Sequence, residues 1–176
     1  DIDDGNIIPT YEWLVGNTNI GSGATYTVSA SDTNVGDSIE CTATATDSDS
    51  EVTTSIASVA LENTVPIVSG TLISPSSNVY NDSTITCSAS VTDPDETLSL
   101  SYTWSIYSID VGTGTSLDLG TTAALPVDSV VCTASIIDSD GGSDSETDSV
   151  TVDNRAPSAP VVAISPTAPS PGDNLV

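Results

Sequence analysis

Twenty-five carboxylates, one guanidinium and three thiols are what this 176-residue chain offers to chemistry, at a formal net charge of −24. There is no His and no Lys, so acid–base or nucleophilic catalysis by an imidazole or an amine is closed to it. G-x-S-x-G, C-x-x-C, P-loop and H-E-x-x-H patterns are all missing. Paired carboxylates can hydrolyse glycosides, but the sequence offers no aromatic cleft to grip a sugar. No enzymatic activity is expected. Two kinds of chemistry remain: carboxylates gathered around a hard cation, and a disulfide. The acidity also excludes nucleic acid and anionic membranes as partners, since both select basic patches.

Internal repetition organises these residues. Trp13 and Trp104 stand 91 residues apart, and so do Cys41 and Cys132, Asp37 and Asp128, and Tyr11 and Tyr102. Asp47 and Asp49 recur as Asp138 and Asp140, and Gly21 and Gly23 as Gly112 and Gly114. Asn63 and Pro66 recur as Asn154 and Pro157. The expected organisation is the rear of one copy over 1–63, a complete copy over 64–154 and the front of a third over 155–176. In that frame Cys87 and Cys132 share a copy. Cys41 is left without its counterpart, which would lie five residues before Asp1.

The elements that must position these groups are strands. "STITCSASV" (83–91), "LSLSYTWSI" (98–106) and "SVVCTASII" (129–137) alternate apolar and polar residues with the period of a half-buried strand. "PIVSGTLISP" (66–75) reads as a first strand, "SLDLG" (116–120) as an intermediate one and "TDSVTVD" (147–153) as a short last one. Ser and Thr make up roughly a third of the chain, a composition that favours strands and turns over helices. No apolar run approaches the length of a membrane-spanning helix.

The order Cys87…Trp104…Cys132 resembles the immunoglobulin framework of cysteine, tryptophan and cysteine on strands B, C and F. The unit is also similar to the tandem Ig-like and PKD-like repeats of microbial surface proteins. The resemblance implies an all-β fold of tandem immunoglobulin-like antiparallel β-sandwich repeats with a 91-residue period, and Trp13 and Trp104 in equivalent cores. It implies a Cys87–Cys132 disulfide, with two buried free thiols as the alternative. Such a bridge closes a loop of about 46 residues and stabilises by about 4 kcal/mol in the chain-entropy model. It also implies an oxidising, extracellular or cell-surface setting. One departure is plain: Val130 and Ile39 stand where an antibody domain has tyrosine two residues before the second cysteine.

In that arrangement "TDPDET" (92–97) and "DSDGGSDSE" (138–146) are loops at one pole, beside the linker "LENTVP" (61–66). Asp93, Asp95, Glu96, Asp138 and Asp140 then meet Glu62 and Asn63. The layout resembles cadherin junctions, which hold calcium between tandem domains with loop carboxylates and an Asn-containing linker. Calcium takes six to eight oxygen ligands, and it relieves the repulsion of carboxylates that have no Lys or Arg nearby. Solvated Asp- and Ser-rich turns are the alternative. The "DSDGG" opening lacks an EF-hand's position-six glycine. Asn81-Asp82-Ser83 is an N-glycosylation sequon.

The expected function is mechanical: a section of a long extracellular stalk, fibre or surface-layer protein whose disulfide-locked beads contact neighbouring repeats or like chains. An adhesin-type module that recognises a glycan or a partner cell surface is a second possibility. A fibre subunit that donates residues 155–176 to the next chain is a third.

Overall fold

The computed structural model describes residues 4–165, 167–174 and 176. Its first four strands are β1 (Thr10–Val15), β2 (Thr18–Ser22), β3 (Ser38–Thr46) and β4 (Val52–Ala60). They form one antiparallel sheet in the order β2-β1-β3-β4. Seven more follow: β5 (Ile67–Ser74), β6 (Thr84–Thr92), β7 (Ser101–Ile106), β8 (Ile109–Thr113), β9 (Ser116–Asp118), β10 (Ser129–Ile137) and β11 (Ser143–Thr151). These make a four-stranded sheet, β11-β10-β7-β8, and a three-stranded sheet, β5-β6-β9. One 3-10 turn, Leu119–Thr121, is the sole helical element among the described residues.

The latter two sheets pack face to face as a β-sandwich. Strand alternation decides what goes between them: in β10 Val130, Cys132, Ala134 and Ile136 are buried while their neighbours are not. The main core joins Ile73, Ile85, Cys87 and Leu117 of one sheet to Trp104, Ile106, Val130, Cys132 and Val150 of the other. Each such aliphatic side chain contributes about 1.5–3 kcal/mol by leaving water. Cys87 and Cys132 are disulfide-bonded across the core, with Cα atoms 6.5 Å apart. The Trp104 indole is fully buried and donates from Nε1 to the Gly114 carbonyl at 2.8 Å. A smaller cluster of Val68, Ala134 and Ile136 lies with Ala89, Val91, Leu98 and Leu100.

Strands β1, β2, β3 and β4 begin and end 91 positions before β7, β8, β10 and β11, and they pair in the same order. Trp13 faces Cys41 and Gly21 across its neighbours, as Trp104 faces Cys132 and Gly112. Among the described residues, however, no second sheet covers the first one. Trp13 is half-buried against Tyr26, Cys41 is a free thiol, and Val59 is exposed where Val150 is buried. Residues 155–176 hold no strand among those described.

The largest differences from the sequence expectation are at β11, β7 and β8. Strand β11 starts at Ser143 rather than 147, because its inward positions 144, 146 and 148 carry carboxylates instead of the apolar residues that advertise a strand. Strand β7 starts at Ser101, so Leu98 and Leu100 pack from the preceding loop. Strand β8, short and half polar, shows no alternation that would mark it.

Candidate functional site

At one end of the sandwich three segments meet: the linker that leaves β4, the 93–97 loop between β6 and β7, and the 138–142 turn between β10 and β11. Asp138 organises the turn. Its Oδ1 accepts from the Asp140 and Gly142 backbone N–H groups at 3.0 and 2.6 Å, and its own N–H donates to the Gly142 carbonyl. Its Oδ2 accepts from the Asn63 side-chain amide at 2.9 Å. The Asn63 amide holds this buried carboxyl below the usual carboxylate range, against the upward push of burial, and the turn's N–H groups add to the effect. A Cβ at Gly142 would collide with the Asp138 carboxylate and the Asn63 amide, so a side chain there displaces two groups that are hydrogen-bonded to each other.

The 93–97 loop is tied to both neighbours. Asp95 Oδ2 accepts from the Thr64 backbone N–H at 2.6 Å, and Glu96 Oε1 from that of Ser139 at 2.8 Å. Asp93 Oδ1 accepts from the Asp95 backbone N–H at 2.8 Å. Asp93 Oδ2 is buried and has no hydrogen-bond partner among the described residues. One oxygen from each of Asp93, Glu96 and Asp138 lies within 4.8 Å of the others. A buried, unpartnered carboxylate oxygen beside two more carboxylates fits the donor set of a hard divalent cation, which takes such oxygens at 2.3–2.6 Å for Ca²⁺.

Of the residues singled out from sequence, Asp93, Glu96 and Asp138 thus come together. Asn63 and Asp95 serve as bridges to the linker. Glu62 and Asp140 are exposed and line a cleft of about 620 Å³, together with Val35 and Leu61. Asn81 is exposed in the turn that precedes β6, where the Ser83 hydroxyl accepts from the Tyr80 backbone N–H.

Three sets of polar contacts escape sequence reasoning. The Tyr107 hydroxyl donates to Asp128 Oδ1 at 2.6 Å, which depresses the pKa of this buried carboxyl, with the Leu125 backbone N–H assisting. Arg155 makes a two-pronged bond to Asp82 at 2.6 and 2.7 Å and lies over the Tyr80 ring, and it lowers the pKa of Asp82. Asp144, Glu146 and Asp148 accept from backbone N–H groups of β5. Their spacing of two is the available signal, although Asp144 and Glu146 fall in the expected acidic loop and only Asp148 in the expected last strand.

No family model matches the chain, and neither a curated protein nor a solved structure matches it.

Proposed function

We propose that this chain is a section of an extracellular array of immunoglobulin-like β-sandwiches, repeating every 91 residues, which acts as a stalk or fibre and binds Ca²⁺ where one unit joins the next. The observation that carries the proposal is the Asp93, Glu96 and Asp138 cluster with the orphaned Asp93 Oδ2, placed against the linker that enters the sandwich. Asp93, Glu96 and Asp138 would hold the ion, with Asn63 and Asp95 fixing the linker beside it. The ion supplies charge neutralisation and a rigid joint; the chain's own part is to hold the linker at a set angle. The Cys87–Cys132 disulfide is in keeping with an oxidising compartment.

Thermal melting in Ca²⁺ and in chelator tests the joint. Ca²⁺ at 100 times its Kd adds about 2.7 kcal/mol to stability, and D93N should abolish the gain. Equal melting temperatures in both buffers would reject the metal. The intact mass of the native protein tests the array: a chain far above 17.8 kDa supports it, and one at that mass favours separate subunits.

A further inference from the structure

Strands β5 and β11 belong to different sheets yet lie side by side at the edge of the sandwich. No backbone ladder joins them. Instead the backbone N–H groups of Val68, Thr71 and Ile73 donate to Asp144, Glu146 and Asp148 at 2.7, 2.8 and 2.8 Å. Partner numbers rise together along the two strands, so they run in parallel. The series begins in the linker with Asn63 on Asp138. Three of the four bonds span 75 residues of sequence, and Val68 to Asp144 spans 76, a one-residue shift at the irregularity in β5. At the far end the Asp153 N–H donates to the Val79 carbonyl, and Arg155 holds Asp82. In the first sheet the positions matching 144, 146 and 148 are Thr53, Ser55 and Ala57, which carry no carboxylate.

We propose that Asp144, Glu146 and Asp148, continued by Asp138, form a force-bearing clamp between β5 and β11. The chain enters the sandwich at the start of β5 and leaves past the end of β11. Tension on the two ends therefore slides parallel neighbours past one another. In this geometry the bonds share the load and must fail together, whereas a peeled pair fails one bond at a time. Hydrogen bonds to ionised acceptors are roughly twice as strong as neutral ones, and the donors that these three carboxylates find are backbone N–H groups of β5. The clamp holds β5, the strand on which the linker ends, by its main chain. The inference rests on the reading of the chain as a tension-bearing spacer.

The test is single-molecule pulling of the whole chain by its ends with the disulfide intact. Opening of the sandwich frees residues 64–86 and 133–154, which release on the order of 150 Å at ~3.4 Å per residue. The D144N/E146Q/D148N variant should open with the same lengthening at about half the wild-type force. The I106V variant, a core trim on β7 away from this strand pair, should keep the wild-type force. An unchanged force in the triple variant, or an equal drop in I106V, overturns the clamp. Either result leaves the spacer reading to stand or fall on native mass and the Ca²⁺ response. Should the triple variant not fold, E146Q with amide hydrogen exchange decides. The Thr71 amide should exchange about tenfold faster with the Ile85 amide unaltered, and an unaltered Thr71 amide overturns the clamp.

Discussion

The turns at 47–51 and 138–142 have the same local chemistry and different surroundings. In each, the aspartate's Oδ1 accepts from the backbone N–H four residues on, at 2.7 Å for Asp47 and 2.6 Å for Asp138. In each, the residue three positions on lies at positive φ: Ser50 at 70° and Gly141 at 94°. The fourth position separates them, Glu51 in one and Gly142 in the other. No linker asparagine reaches Asp47 among the described contacts, so a side chain at 51 costs nothing. At Asp138 the second oxygen is occupied by Asn63, and a side chain at 142 would strike both partners. A turn can thus be specified locally and still become part of a joint only when another segment arrives.

The same contrast holds for the tryptophans, and it gives the largest expected effect. Trp13 and Trp104 make the same indole bond, to Gly23 and Gly114, but only Trp104 is sealed beneath a second sheet. W104A should cost about 3–5 kcal/mol in chemical denaturation of the sandwich. W13A should cost about half of that or less, since partial exposure halves the transfer loss. Equal losses would mean that the first sheet is covered in solution. Next in size, G142E, which installs the residue found at 51, should lower stability by about 1–3 kcal/mol through overpacking. The reciprocal E51G should stay within about 0.5 kcal/mol. A benign G142E would show that Asn63 does not sit on Asp138.

A third comparison concerns strain. Val127 is a β-branched residue at φ 74°, where the first half has Gly36 at 85°. Both donate a backbone N–H to a carbonyl 25 residues on, Val152 and Leu61. V127G should raise the melting temperature, with relief of about 1 kcal/mol; a lower melting temperature would show that the strain is not real. Smallest is a pH effect. Asp138 and Asp128 have folded-state pKa values below their unfolded ones, held down first by Asn63 and by Tyr107 respectively. Such groups add stability above the unfolded pKa of about 3.9, and that stability is lost as pH falls through the folded value. N63A should therefore flatten the acid limb of the stability curve below about pH 4. An unaltered limb would remove Asn63 as the cause.

Much of the fold was legible because it is written locally. "SVVCTASII" alternates so strictly that β10 spans the expected residues 129–137. Strand β11 was half hidden because "SDSETDS" pairs polar residues with carboxylates on its inward face. The site was legible as a neighbourhood. Asp93, Glu96 and Asp138 were expected at one pole and stand there, yet Asp95 turns to Thr64 and Asp140 to solvent. Which oxygen is satisfied and which is orphaned depends on side-chain direction, which is set by the neighbouring segments and not by the loop's own sequence.

What the sequence determined alone is the all-β character, the echo at 91 residues and a surface with almost no positive charge. Strand periodicity follows from backbone stereochemistry acting on near neighbours, so a single chain displays it. What only the tertiary structure decided is the use of the carboxylates. Asp138 meets Asn63, and Asp144, Glu146 and Asp148 meet β5, because two strands 75 or 76 residues apart in sequence lie side by side. That placement arises from packing the two sheets on Trp104 and the disulfide, a long-range event with no local signature.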